Sequence, residues 1–418
     1  MIKVSTISTS DKGGAGIASF RLHKSLNKNK DVSSIFVNAT TEDNPEHNLI
    51  QGEKVTPNKL VSLINKFYKR GLRTEKNLIE SKQKIYQKKL GQLSLDCEIA
   101  TLPFTEFKIE KNTSLLNADI VHVHWIADFI NYPSFFKSVK QPIVWTLHDM
   151  NPFQGLFHYK NDEINNPSAR ELDLSTLNQK NNFIHQHNNI HIVCLSEWML
   201  QASKNSKLLG QYPHYLIPNG LDFSKIKSPL NNVELKQKIG IDNGNKTLLF
   251  VSQNLSNQRK GFDLLSQALK LITAHQFNIV TVGNDKIELP INYKHVQINH
   301  IDNVDELNEI YAAVDLLVLP SKEDNLPNVM LEAFANGTPV LGFNVGGMKD
   351  WIVEEKNGLL AKEMNPEYFA KELINFAEGK HVFDENFIKE YAIKHFNEID
   401  QTQKYIDLYK TIIDSNLK

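Results

Sequence analysis

Short apolar runs, rich in β-branched residues, recur along this chain, and stretches of helical periodicity separate them. That alternation forces a parallel sheet wound with helices. Parallel neighbours need a long crossover, and strands covered on both faces read as continuous apolar runs. The first run is Ile2–Ile7, followed by the Gly-rich turn Asp11-Lys12-Gly13-Gly14-Ala15-Gly16 and a helical pattern from about Ile17 to Leu26. Further runs lie at Ser34–Val37, Ile120–Val123, Ile143–Leu147, Ile190–Leu195 and Tyr215–Ile217. The pattern starts again near Lys246, with runs at Thr247–Val251, Asn278–Val282, Val296–Ile298, Leu316–Leu319 and Pro339–Gly342. Helical patterns over Gly261–Ile272, Val304–Ala313 and Asn328–Ala335 fall between them. The expected class is α/β with two wound domains, 1–225 and 245–395; the tail from about Pro366 to Lys418 reads as two or three helices, the last over 396–418. Polar Asp222–Asn245, with Pro229, reads as the linker.

Composition removes several classes. With 418 residues, 41% hydrophobic and 23% charged, the chain can bury a large core and is not a disordered polymer. Lys plus Arg number 47 and Asp plus Glu 48, a net charge of −1, which argues against a nucleic-acid partner. Two cysteines, Cys97 and Cys194, supply no disulfide scaffold and argue against a Cys-based zinc site. The N-terminus reaches its Gly turn too soon for a signal peptide, and no apolar stretch approaches the ~18–20 residues of a membrane span. The expectation is a reduced, cytoplasmic protein. One stretch stands apart. Residues 54–90 carry eleven Lys or Arg against two Glu, and Leu60, Leu63, Ile64, Phe67 and Tyr68 keep helical spacing. This is either a solvated helical insertion, the commoner origin of such runs, or a basic surface for peripheral contact at the inner face of the membrane.

Ligands of wound sheets bind at the loops following the strands, so strand-end residues are the candidates. Gly13, Gly14 and Gly16 could bring backbone N–H groups close to an anion or form a plain strand-to-helix turn. They do not make a Gly-x-Gly-x-x-Gly fingerprint, and the second strand ends at Val37-Asn38 without an acidic ribose ligand, which argues against an NAD site. His122 and His124 share one strand face, and lacking an acidic or Cys partner at ligand spacing they read as packed polar residues rather than a metal site. His148, beside Asp149 at a strand end, can donate to a ligand hydroxyl or move a proton. Arg259 and Lys260 precede a helix, where two cations and an N-terminus would meet a phosphate. The densest pattern is Pro320-Ser-Lys-Glu-Asp-Asn-Leu-Pro-Asn-Val-Met-Leu-Glu-Ala333. Its loop carboxylates suit sugar hydroxyls. Glu332, set in an apolar stretch, needs a partner such as a ribose diol.

These residues in this order resemble the retaining glycosyltransferase family 4, of the GT-B superfamily and bacterial surface-polysaccharide type. The hallmark is an acidic residue, seven spacers and Glu, here Asp324 to Glu332, then Ala333 and Gly337-Thr338-Pro339-Val340. The opening Gly turn, Thr146-Leu147-His148-Asp149, Ile217-Pro218-Asn219-Gly220-Leu221-Asp222 and Arg259-Lys260-Gly261-Phe262 extend the resemblance over most of the chain. It implies two facing Rossmann-like domains with a cleft between them, the terminal helix crossing back to the first, an acceptor-binding first domain and a donor-binding second. By the same resemblance, Lys260 with Arg259 neutralises the donor diphosphate and Glu332 binds the ribose. Asp324 or the adjacent Glu323, with the Asn325, Leu326 and Pro327 backbone, holds the sugar. His148 contacts the sugar, and Gly14 and Gly16, with Gly13 in the same loop, line the phosphate and acceptor side. Two positions depart. Asp324 stands where the family usually has Glu, with Glu323 one place off register, and Asn254 stands where it often has Arg, a charge Arg259 could replace.

The implied reaction moves a hexose-type sugar from a UDP- or GDP-linked donor to a hydroxyl of a glycan or lipid-linked glycan. Arg259, Lys260 and a helix N-terminus can stabilise the leaving diphosphate without a metal, no Asp-x-Asp motif occurs, and no cofactor is expected. The competing readings are a non-catalytic sugar-nucleotide or glycan-binding protein and a GT-B sugar-nucleotide epimerase.

Overall fold

The computed structural model describes residues 1–40, 44, 48–53, 75–226, 232–241, 244–290, 293–301 and 303–416. The chain divides into two compact units. The first comprises Met1–Cys194, Leu200–Tyr215 and Tyr405–Lys418; the second comprises Leu195–Met199 and Leu216–Lys404.

The first unit is built on a seven-stranded sheet of β1 (Ile2–Ile7), β2 (Val32–Asn38), β3 (Leu49–Gln51), β4 (Ile120–Val123), β5 (Ile143–Leu147), β6 (Ile190–Cys194) and β7 (His214–Leu216). Their spatial order is β3-β2-β1-β4-β5-β6-β7, and pairing is parallel from β3 through β6. Every residue of β4 and β5 is buried, which explains their unbroken apolar reading. Helix α1 (Gly13–Lys28) begins four residues before the expected Ile17. Gly13, at φ +70°, opens it, and a Cβ on Gly16 would lie 2.5 Å from the Ser10 carbonyl. The glycines therefore form the first helical turn packed under the β1–α1 loop, rather than the loop itself.

Of the basic stretch expected over 54–90, residues 54–74 lie outside the described residues. Its remainder is helix α2 (Glu75–Leu90). Lys82, Lys84, Lys88 and Lys89 are exposed on α2, whereas Tyr86 packs edge-on against Phe104 and bonds Ser175 of helix α3 (Arg170–Ile184). Among the described residues no helix is long and apolar enough to cross a membrane.

The second unit repeats the plan with β8 (Lys246–Asn254), β9 (Phe277–Asn284), β10 (Lys294–Ile298), β11 (Leu316–Leu319), β12 (Val340–Phe343) and β13 (Gly358–Ala361). The order is β10-β9-β8-β11-β12-β13, all parallel. Helix α4 (Phe262–Leu271) buries Phe262, Leu265 and Leu269 on one face of this sheet. Helices α5 (Val304–Ala313) and α6 (Asn328–Ala335) place Ile310, Tyr311, Met330, Leu331 and Phe334 in the core of the other. The segment read as a linker is partly structured, with a 3-10 turn at Phe223–Lys225 and a helix at Asn232–Lys238. The tail forms three helices, Pro366–Ala377, Glu385–Phe396 and Glu398–Asn416. From the last of these, Tyr405 and Tyr409 are wholly buried members of the first unit.

Strand order reverses between β1 and β4 in one sheet and between β8 and β11 in the other. At such a reversal the loops leave in opposite directions and open a crevice at the strand C-termini. The candidate residues follow β4 and β5 in the first unit, and β8 and β11 in the second.

Candidate functional site

In the second unit two loops meet at the reversal. The loop after β8 ends in a 3-10 turn, Gln258–Lys260, which the Asn257 side chain caps by accepting from Arg259 N. Gly261 closes it at φ +72°, where an added Cβ would stand 1.9 Å from the Pro320 carbonyl. Only glycine permits both that backbone and that approach. Lys322 N donates to Arg259 O at 2.8 Å and completes the docking of this turn on the loop after β11.

Docking brings both cations to one carboxylate. Lys260 Nζ lies 2.5 Å and Arg259 Nη1 3.4 Å from Asp324 Oδ2. Asn325 N donates to Asp324 Oδ1 at 3.1 Å. Burial alone would push the Asp324 carboxyl up, but Lys260 and Arg259 outweigh it and hold the group below its ordinary range. Asp324 is therefore an ionised carboxylate paired with two cations, leaving one surplus positive charge. Glu323, also buried, gives its carbonyl to Arg259 Nη1 at 3.1 Å. Of the two adjacent carboxylates, it is Asp324 that faces the cations. Asn254, where the family it resembles often has Arg, is exposed at the end of β8, and Arg259 and Lys260 both lie beside Asp324.

The loop after β12 covers the Asp324–Asn325 backbone. Gly347 N donates to Asp324 O at 2.9 Å, and Cβ atoms on Gly346 and Gly347 would fall 2.1 and 2.0 Å from the carbonyls of Asp324 and Asn325. Asn325 Oδ1 accepts from Ser196 Oγ at 2.6 Å. Leu326 and Pro327 are buried, and Pro327 opens α6 with no side-chain cap. At the start of α6, Asn328 Oδ1 accepts from Asn219 Nδ2 at 3.1 Å. One turn on, the half-buried Glu332 accepts from Tyr311 Oη at 3.2 Å, so the partner its apolar setting demanded is in part a tyrosine. Ser196, Tyr311 and the Gly346-Gly347 pair carry no role in the sequence reading. A double glycine three residues past the end of a strand is the one available signal.

In the first unit, His148 stands at the end of β5 with its Nε2 3.0 Å from Nδ1 of His124. Burial holds the His148 imidazole down to about 4, against a small upward pull from Asp149. Asp149 turns inward. Its Oδ2 accepts from Trp125 Nε1 at 2.7 Å and His158 Nδ1 at 2.6 Å, and its Oδ1 from Asn151 N at 3.0 Å. Burial would raise this carboxyl too, but His158 with the other donors holds it low. Behind it, wholly buried Lys180 Nζ donates to Asn151 O at 2.7 Å and Oδ1 at 2.9 Å, and burial pulls its amine down to about 7. Asp149 thus anchors the loop that presents His148.

Two parallel-sheet units of this kind have the GT-B fold. Residues 245–378 match the family model described as glycosyl transferases group 1. The second unit carries that domain, and the chain is a glycosyltransferase. An uncharacterized glycosyltransferase of Methanocaldococcus jannaschii is 23% identical over 284 residues, 64% of this chain and 69% of the relative. The UDP-Gal:alpha-D-GlcNAc-diphosphoundecaprenol alpha-1,3-galactosyltransferase of Escherichia coli is 24% identical over 238 residues, 53% of this chain and 58% of that enzyme. Among solved structures, HepE of Anabaena in complex with UDP and glucose aligns over 98% of this chain and 100% of its own, with TM-score 0.63 and 16% identity.

Proposed function

We propose that this chain transfers a hexose-type sugar, with retention of anomeric configuration, from a nucleoside-diphosphate donor to a hydroxyl of a glycan or lipid-linked glycan. The observation that carries the reading is the Arg259–Lys260–Asp324 cluster at the β8/β11 reversal. Two cations on one buried carboxylate form an anion site whose counter-ion is already in place. An arriving diphosphate takes over the cations, and Asp324 is released toward the sugar hydroxyls. Glu332, steadied by Tyr311, takes the ribose diol, and the Asn325–Pro327 backbone lines the sugar. The anomeric C–O bond to the diphosphate breaks, the acceptor oxygen bonds on the same face, and the leaving phosphate oxygen takes the acceptor proton. His148 donates to the sugar, and the Gly13–Gly16 turn serves the phosphate and acceptor side.

No metal or other cofactor enters this scheme, since Lys260, Arg259 and helix N-termini carry the leaving-group charge. UDP is the favoured nucleotide, because HepE of this fold binds UDP with glucose. The Escherichia coli relative's diphosphoundecaprenol acceptor supports a lipid-linked glycan. The exposed lysines of α2 support peripheral contact with an anionic membrane face. A thermal-shift screen against sugar nucleotides, with and without chelator, tests the donor reading. A chelator-insensitive rise for one donor, lost in Glu332→Ala, is expected. No rise with any UDP- or GDP-sugar would refute it.

A further inference from the structure

The first unit holds a chain of aromatic and hydroxyl groups that ends on His148 and whose other members have no part in the proposed transfer. His122 and His124 project from one face of β4, and Thr146 and His148 lie at the matching end of β5. Tyr405 and Tyr409, four residues apart on the terminal helix, cover that face. Tyr409 Oη lies 2.7 Å from His122 Nδ1, and Thr146 Oγ1 lies 2.8 Å from both His122 Nε2 and Tyr405 Oη. The His122 ring is tilted on that of His124, centroids 4.1 Å apart. His124 Nδ1 then meets His148 Nε2 at 3.0 Å.

The last contact has a direction. Burial keeps His122, His124 and His148 neutral, so each ring carries one proton. Across the His124–His148 bond one nitrogen must donate and the other accept. His124 Nε2 is buried and has no hydrogen-bond partner among the described residues. A proton on that nitrogen would be a buried N–H with nothing to receive it, which folded proteins avoid more strictly than a bare lone pair. The His124 proton therefore sits on Nδ1 and is donated to His148 Nε2. His148 then accepts at Nε2 and keeps its own proton on Nδ1.

We propose that His124 is a positioning residue for the transfer reaction, locking His148 in the neutral tautomer that carries its proton on Nδ1. The role follows from the bond and from the orphaned far nitrogen, while the neighbouring His122 ring, tethered at both nitrogens, holds the His124 ring in place. The kinetic consequence rests on the reading that His148 donates to the donor sugar. In the other tautomer Nδ1 could only accept from a sugar hydroxyl, so the direction of the hydrogen bond would be reversed.

The test uses the full-length chain labelled with 15N-histidine. Long-range proton–nitrogen correlations at neutral pH distinguish the two neutral tautomers, with resonances assigned by single His→Gln variants. Both His124 and His148 are expected as Nδ1–H tautomers. A proton on Nε2 of either residue overturns the proposal and leaves the reading of the site as a glycosyltransferase untouched. In transfer assays, His124→Phe should lower kcat by about 10- to 100-fold with donor KM nearly unchanged, the scale of a misplaced catalytic group. His124→Asn keeps a donor where Nδ1 stood and should restore most of that loss. Failure of His124→Asn to recover more than His124→Phe refutes the positioning role. Unchanged kcat in His148→Ala overturns the function assigned to His148, and the positioning role with it, even where the tautomers are as expected.

Discussion

Removing the Lys260 ammonium, as in Lys260→Met, leaves Asp324 buried with Arg259 at 3.4 Å and the Asn325 N–H as its remaining named donors. Breaking a buried ion pair by deleting one partner costs about 3–5 kcal/mol when the survivor has no other support. Here Arg259 remains and the Lys260 side chain is 23% exposed, so the expected loss is smaller, roughly 2–3 kcal/mol. For a domain of this size that lowers the melting temperature by about 4–12 °C. In Lys260→Met/Asp324→Asn the stranded charge is gone, so most of the stability should return while transfer stays absent. The pH dependence follows from the same pair. A carboxylate whose folded pKa lies below its ordinary 3.8 contributes stability that is present above 3.8 and lost as pH falls through the lower folded value. Lys260→Met should flatten that acid limb. Calorimetry and urea unfolding of the four proteins of the cycle, with Asp324→Asn as the fourth, give the coupling directly. A single variant as stable as wild type, or a double variant no more stable than Lys260→Met, would refute the claim that the pair is a prearranged counter-ion.

Three further outcomes are expected. Gly346→Ala forces a side chain into φ +59° and 2.1 Å from the Asp324 carbonyl, so it should cost at least about 1–2 kcal/mol and abolish the donor-induced thermal shift. Tyr311→Phe removes a donor to Glu332 and should raise donor KM several-fold with kcat little changed, read in steady-state assays. Lys180, with its amine pulled down to about 7, binds a proton more weakly folded than unfolded, so stability should rise between about pH 7 and the ordinary 10.5. Urea unfolding of Lys180→Met across that range should show the slope flattened, and an unchanged slope would refute the assignment.

The wound architecture was legible because parallel strands buried on both faces leave unbroken apolar runs, as Ile143–Leu147 and Leu316–Leu319 do. Leu49–Gln51 and Gly358–Ala361 escaped notice because each has only two strongly apolar residues, Leu49-Ile50 and Leu359-Leu360. The glycines of Gly13–Gly16 read as a loop from propensity, but tertiary packing of Gly16 under Ser10 makes them helical. Arg259, Lys260, Asp324 and Glu332 could be found from strand-end position and order. Tyr311 could not, because a tyrosine near the end of an amphipathic helix looks like core until the residue across from it is known. Asp149 misled in the opposite way. Its place beside His148 suggests shared chemistry, and yet its carboxylate serves Trp125, His158 and Asn151.

The two sheets reverse strand order in the same way, yet their strand ends carry opposite chemistry. The second unit sets fixed charges, Arg259 and Lys260 against Asp324, where the proposed transfer has an anion gripped and later released. The first sets His122, His124 and His148, all kept neutral by burial. On the proposed reading a neutral imidazole directs a hydrogen bond to the sugar, whereas a cation at His148 would oppose the positive charge that develops at the anomeric carbon as its bond to the diphosphate breaks. On that argument the depressed basicity of His148 is as much part of the design as the ion pair. A His148 variant with a permanent positive charge, His148→Lys, should bind nucleoside diphosphate at least as tightly as wild type in calorimetric titration while losing transfer. Retained transfer in His148→Lys would show that neutrality at this position is incidental.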